Sequence, residues 1–123
     1  MKNWKLLAGG LGLALLVSVI GCELPGLAKS GGIHKAAKQG DVEKIKSLLA
    51  EDPSLVNSKD RLYGYTPLHT AAIAGQAAAA EFLLENGAEV NATDNKGHTP
   101  LYWAKKEAHE DLAELLSYYG GEE

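Results

Sequence analysis

The residues most suggestive of chemistry are His34 and His69, because they fall at equivalent places in two similar segments and paired imidazoles can hold zinc. Helices packed side by side stand about 8–10 Å apart. Two nitrogens each about 2.0–2.1 Å from one zinc must instead approach within about 4 Å of each other. A shared metal does not fit that spacing. His109-Glu110 begins like a helical zinc-protease motif but ends in Ala113, where the second histidine is required. There is no Gly-x-Ser-x-Gly elbow, no phosphate-binding Gly-Lys loop and no Cys-x-x-Cys pair, and Gly9, Gly10 and Gly12 belong to an apolar leader. No catalytic or metal-binding residue is assigned, no cofactor or small-molecule substrate is expected, and an enzyme is the reading with least support.

The elements that must position any site are set by an internal repeat. Gly64-Tyr65-Thr66-Pro67-Leu68-His69 recurs 33 positions later as Gly97-His98-Thr99-Pro100-Leu101-Tyr102. The same offset relates Asn86-Gly87 to Tyr119-Gly120 and Glu81-Phe82-Leu83 to Glu114-Leu115-Leu116. A period of this length signals a helical solenoid, which binds along an extended surface. Thr66 and Thr99 suit N-caps, with Pro67 and Pro100 at the first helical position, where the missing N–H would have had no intrahelical partner. Gly64 and Gly97 suit turns needing positive φ, and Gly75 and Gly87 sit where short helices should stop. One repeat reads as turn, short helix, turn, longer helix.

These residues resemble the ankyrin-repeat family over 33–119, as about three repeats with the outer two atypical. The middle repeat carries Asp60, Gly64, Thr66-Pro67-Leu68-His69, Ala71-Ala72, Gly75, Phe82-Leu83-Leu84, Asn86-Gly87-Ala88 and Val90-Asn91. The resemblance implies an all-α fold of stacked helix-turn-helix repeats with projecting β-turn fingers, and recognition through finger tips and the inner face of the first helices. It also implies a structural role for His69, hydrogen-bonded to the neighbouring turn.

Departures from the family pattern carry their own expectations. The segment from Ile33 through Gly40 lacks the Thr-Pro start and reads, with 41–50, as an N-terminal cap. Gly40 to Gly75 is two positions longer than the ideal, which places an extra residue in the Asp52-Pro53-Ser54-Leu55 turn and Tyr63 as an insertion lengthening the first finger. Ala108 stands where glycine is usual, and a left-handed alanine costs roughly 1–2 kcal/mol, so a tighter or more helical turn is expected there. Lys105 in place of the second alanine fits a solvent-facing C-terminal cap, and Tyr118 and Tyr119 are expected to pack within it. The run Ala77-Ala78-Ala79-Ala80 favours helix and implies an underfilled layer or a close approach of helices.

The N-terminus has the plan of a secretory signal peptide over 1–21: Lys2 and Lys5, then an apolar run over 6–20, then a small residue. That run is shorter than the about 20 residues a spanning helix needs. Cys22, the single cysteine, follows Val19-Ile20-Gly21 and resembles a bacterial lipobox. A buried or free thiol, a cleaved soluble protein and an uncleaved anchor are the alternatives. Residues 22–32, with Pro25, Gly26, Gly31 and Gly32 and no helical period, read as a tether, and 33–123 as the folded domain. These features imply a lipoprotein on a bacterial membrane facing the periplasm or exterior, with the outer membrane favoured by Glu23 in a Gram-negative cell.

Formal charge is −4 for the whole chain, and becomes −6 without Lys2 and Lys5. That sign opposes general binding to nucleic acid or anionic headgroups. Leu68, Ala71, Leu83, Leu84, Leu101, Leu112, Leu115 and Leu116 follow helical spacing and are assigned to the core. On the family pattern, Arg61, Leu62, Tyr63 and Tyr65 lie on the first finger, Asn95, Lys96 and His98 on the second, and Ile73 and Trp103 on first helices facing the groove. Large apolar and aromatic side chains in such places suit interface anchors, the alternative for Tyr63 and Trp103 being packing on their own neighbours. The expected function is a membrane-tethered module binding a protein partner, an adaptor or an inhibitor of immunity type. The second reading is a structural envelope lipoprotein without a single tight partner.

Overall fold

The computed structural model describes residues 25–123, with side chains from position 32 onward. Among the described residues six α-helices and one 3-10 helix follow in order: α1 Pro25–Gln39, α2 Val42–Glu51, the 3-10 helix Pro53–Asn57, α3 Pro67–Ala74, α4 Ala77–Glu85, α5 Pro100–Lys106 and α6 Glu110–Tyr118. No β-strand occurs among the described residues. The helices form three pairs, with α1, α3 and α5 packed in one row and α2, α4 and α6 in a second. This is the all-α stack of about three helix-turn-helix repeats that the period implies.

Local chemistry sets where the helices begin and end. The Thr66 hydroxyl accepts from the His69 amide, and the His69 ring accepts the Thr66 amide in return at 3.1 Å, a reciprocal cap over the first turn of α3. Thr99 caps α5 in the same place, accepting from the Tyr102 amide at 3.3 Å. Pro67 and Pro100 occupy the first helical positions. Gly75 ends α3 at φ +74°, and a Cβ there would come within 2.7 Å of the His109 ring, so conformation and space both require glycine.

The buried seam runs through all three pairs. Ile33, Ala37, Ile45, Leu68, Ala71, Leu83, Ala104, Leu112 and Leu116 have almost no exposed surface, and Leu84 and Leu101 are buried with them. Leu115 differs slightly from expectation, packing half-buried against this core. Within the alanine run, Ala79 and Ala80 are fully buried while Ala77 and Ala78 face solvent, so only half of the run meets neighbours.

Three local expectations are altered. Residues 25–32, read from sequence as part of a tether, lie in α1, which Ile33, Ala36 and Ala37 seat in the core. Tyr118 does not pack in the C-terminal cap: it is 84% exposed and meets Tyr119 edge-on at 5.5 Å. Ala108 neither tightens its turn nor makes it more helical. It takes φ +61° itself, and the His109 amide reaches the Ala104 carbonyl at 2.8 Å just as Gln76 reaches Ala71 at 2.9 Å after Gly75. Docking of α6 on the stack holds the turn in the repeat geometry despite the missing glycine.

Ala108→Gly should therefore stabilise the domain. The left-handed strain of about 1–2 kcal/mol is released, less the about 0.4–1 kcal/mol that glycine's freer unfolded chain costs. A melting temperature raised by a few degrees in circular dichroism is expected, and a lowered one would refute the assignment of strain to Ala108.

Candidate functional site

Two aspartates build the fingers. Asp60 Oδ1 accepts the amides of Tyr63 at 2.7 Å and Gly64 at 2.9 Å, and the Asp60 amide closes the turn on the Tyr65 carbonyl at 2.9 Å. Asp94 repeats this, accepting from Lys96 at 2.8 Å and His98 at 2.9 Å, with its amide on the His98 carbonyl at 3.0 Å. The first turn holds one residue more than the second, which is the insertion read from the sequence at Tyr63. The fingers also join each other, the Asn95 amide donating to the Tyr63 carbonyl at 2.9 Å and Lys59 Nζ to the Thr93 carbonyl at 2.9 Å.

Histidines fasten α1 and α3 each to the next finger. His34 Nε2 meets the Tyr65 carbonyl at 2.8 Å, and His69 Nε2 meets the His98 carbonyl at 2.9 Å. Because His69 Nδ1 accepts the Thr66 amide, the proton sits on Nε2 and the ring is neutral. Burial lowers the His69 pKa below the ordinary 6.5, against the opposing pull of the His98 carbonyl and Asp94. The two rings are therefore committed to separate carbonyls, and among the described residues no group of three or more His, Cys, Asp or Glu could hold a metal. His109, dismissed above as half of a zinc motif, has a structural contact of its own: Nε2 lies 3.1 Å from the Ile73 carbonyl, over the space left by Gly75.

Between the fingers and the first helices lies a concave surface with two hollows. The larger, about 620 Å³, is walled by His34, Lys35 and Lys38 of α1, Tyr63 and Tyr65 of the finger, and Thr70 and Ile73 of α3. The smaller, about 160 Å³, lies between the finger tips in front of Trp103, with Leu62, Tyr63, Tyr65, Asn95 and Lys96 around it. The expected binding residues thus divide. Tyr63, Tyr65 and Ile73 come together in the first hollow, and Leu62, Asn95, Lys96 and Trp103 join the two tyrosines at the second. Arg61 is exposed but lines neither, and His98 is half-buried, stacked on Tyr102 at 3.9 Å.

Leu62 and Tyr63 are 77% and 56% exposed on a main chain tied down on both sides. Tyr63 stacks on Tyr65 at 5.1 Å, and Tyr65 meets the edge of Trp103 at 5.7 Å. Trp103 is engaged within the fold: its indole N–H donates to Asp94 Oδ2 at 2.8 Å, and Lys106 Nζ lies 4.8 Å from its ring centre. Desolvation pushes the Asp94 carboxyl up, but bonds from the His98 amide, the Trp103 indole and the Lys96 amide outweigh it and hold the pKa below 3.8.

A stack of three helix pairs in which α1 and α3 are bonded by histidine to Asp-closed fingers has a clear counterpart among known proteins. A family profile described as ankyrin repeats (3 copies) matches residues 33–123. The chain belongs to the ankyrin-repeat family. It is 41% identical over 85 residues to the serine/threonine-protein kinase VIK of Arabidopsis thaliana, covering 69% of this chain and 19% of that protein. It is 36% identical over 84 residues to the ankyrin repeat protein nuc-2 of Neurospora crassa, and 39% over 85 residues to human diacylglycerol kinase iota, covering 68% of this chain and 8% of each of those proteins. The chain therefore spans less than a quarter of the length of these relatives. The matched ankyrin fold is a non-catalytic scaffold.

These comparisons correct the setting expected from the N-terminus. The relatives are plant, fungal and human proteins, and nothing in their descriptions supports a bacterial lipoprotein signal peptide, a lipid anchor, a periplasmic location or an envelope role. No helix among the described residues is long and apolar enough to cross a membrane. That setting rests on the charge and hydropathy of 1–21 and on the lipobox-like placement of Cys22 after Val19-Ile20-Gly21. Segment 1–21 and Cys22 lie outside the described residues, and no membrane attachment is carried forward.

Several ankyrin contacts escaped the sequence reading. Asp94 was not singled out, although its spacing to Thr99 nearly repeats that of Asp60 to Thr66. Asn57 binds the Gly87 carbonyl at 3.0 Å and the Glu89 amide at 2.8 Å, and Asn91 does the same one repeat on with Gly120 and Glu122. The recurrence of Val-Asn at 56–57 and 90–91 was the available signal.

Two measurements check this site. Since the folded pKa of His69 lies below 6.5, the unfolded chain takes up its proton first as the pH falls. The contribution of His69 is therefore complete above about pH 6.5 and lost as pH falls through the folded pKa. Denaturant midpoints from pH 7.5 to 5 should decline in the native protein, and His69→Gln should lower stability while flattening that slope. Trp103→Phe keeps the ring but leaves Asp94 short of one donor, and a loss of about 1.5 kcal/mol is expected from a bond to a charged group. Unchanged denaturant midpoints in Trp103→Phe would show the indole bond to be idle.

Proposed function

We propose that this domain is a protein–protein interaction module whose binding face is the concave surface formed by the first finger and helices α1 and α3. The observation that carries the reading is the pair Leu62 and Tyr63, exposed on a finger whose backbone is fixed by Asp60 and Asn95, above an apolar-floored hollow of about 620 Å³. Anchors held in place before binding cost little ordering entropy on association. Aromatic side chains of this kind supply a large share of binding energy in protein interfaces. Membership of the ankyrin family, whose fold presents such a surface, supports the same reading.

Residues at the centre of the face should separate binding from folding. Tyr63→Ala and Ile73→Glu should each weaken a partner by about 2 kcal/mol or more, roughly 30-fold, with melting temperatures close to native because neither side chain is fully buried. Trp103→Ala should lower both, since the indole braces Asp94. A photo-crosslinking residue at position 63 of the full chain should trap a discrete protein partner in cells, and the same residue at position 85, exposed on α4 in the second row, should not. Equal crosslinking from both positions would refute the proposed face.

A further inference from the structure

The charges of this chain are sorted by face, and the sorting points to the kind of partner the concave surface takes. The three first helices, α1, α3 and α5, carry five lysines and no aspartate or glutamate; the three second helices carry seven acidic residues against two lysines. Lys35 and Lys38 line the larger hollow, and Lys106 stands over the Trp103 ring on α5. Lys96 stands at the rim of the smaller hollow. The acids on this side are engaged within the fold: Asp60 at the larger hollow and Asp94 at the smaller each hold two backbone amides, Asp94 also holds the Trp103 indole, and Glu123 pairs with Lys105. Glu107, at the C-cap of α5, points into solvent. A chain of net charge −4 therefore gathers Lys35, Lys38, Lys96 and Lys106 around an apolar-floored concavity, with its second helices acidic.

We infer that the concave face binds an acidic protein segment, in which Asp or Glu side chains meet Lys35, Lys38 and Lys106 and one large apolar side chain enters the hollow between Tyr63 and Ile73. This rests on the protein-binding reading above and specifies its partner. Opposite charge steers encounter and sets register, and the acidic convex side repels the same segment, so one face is selected over the other. A nucleic-acid strand is disfavoured because its charge runs past the basic concavity onto the acidic sides, whereas a short acidic segment ends within it. The apolar hollow also calls for an aliphatic or aromatic side chain, which a phosphate backbone lacks.

The test is selection of random twelve-residue peptides displayed on phage against the immobilised full chain, followed by titration of the synthetic peptides by fluorescence anisotropy. Enriched peptides should be net negative with one large apolar residue. Their affinity should fall at least tenfold when sodium chloride is raised from about 0.05 to about 0.5 M, as screened surface charges require. Lys35→Glu with Lys38→Glu should weaken them at least tenfold, and Lys46→Glu on α2 should not, both variants keeping the native circular dichroism spectrum. Neutral or basic peptides that still depend on Ile73 and Tyr63 would overturn the acidic partner while leaving the binding face in place. Peptides indifferent to Ile73→Glu, Tyr63→Ala and the lysine reversals would overturn both. Tighter binding of a single-stranded RNA oligonucleotide than of any selected peptide would overturn the inference in favour of nucleic acid. Sedimentation showing self-association abolished equally by the Lys35 and Lys38 reversals and by Glu81→Lys with Glu85→Lys would assign the face to a second copy of this chain.

Discussion

The bond from a buried imidazole to the carbonyl of the following finger is the contact on which the rest of this molecule depends. His69 is fully buried and engages its own helix start through Thr66 and the next repeat through His98. One side chain thus fixes where α3 begins and how far away the second finger stands. His34 makes the same connection one repeat earlier. In α5, Tyr102 replaces the histidine and stacks on His98 instead. The neutrality of His69 is part of this design, because a ring protonated on both nitrogens could no longer accept the Thr66 amide.

Most of this architecture was legible in the sequence because repetition exposes it. Thr-Pro pairs, glycines at turns and a 33-residue offset each have a local physical meaning, and together they fixed the helix pairs, the caps and the buried leucines. The concave face was legible only by analogy, and contact detail refined it. Trp103 read as an anchor, yet its indole belongs to Asp94, a tie between residues nine apart that no periodic pattern displays. Ala108 read as a place where the turn must change. The packing of α6 outweighed a cost of about 1–2 kcal/mol for the left-handed alanine, and only tertiary contacts could decide that. The N-terminal pattern misled because a charged start, an apolar run and a cysteine describe composition, and composition alone assigns neither source organism nor compartment.

Charge sorting shows a different kind of legibility. Every lysine of the first helices was visible in the sequence, but their meaning required knowing which helices share a face. Once α1, α3 and α5 lie in one row, Lys35, Lys38 and Lys106 come to share one side, and the acids of α2, α4 and α6 belong to the other row. The fold thus separates the lysines of the first helices from the acids of the second helices within a weakly acidic chain.

The extra residue in the first finger has a consequence for how such a molecule can change over time. From Asp60 to Thr66 the turn is one residue longer than from Asp94 to Thr99, yet both carboxylates gather two amides and both helices start under the same Thr-Pro cap. Length added at the tip is absorbed before it reaches the helices. The fingers can therefore gain or lose residues through mutation while the stack keeps its register, so their surface is free to drift along a scaffold that does not have to be reinvented.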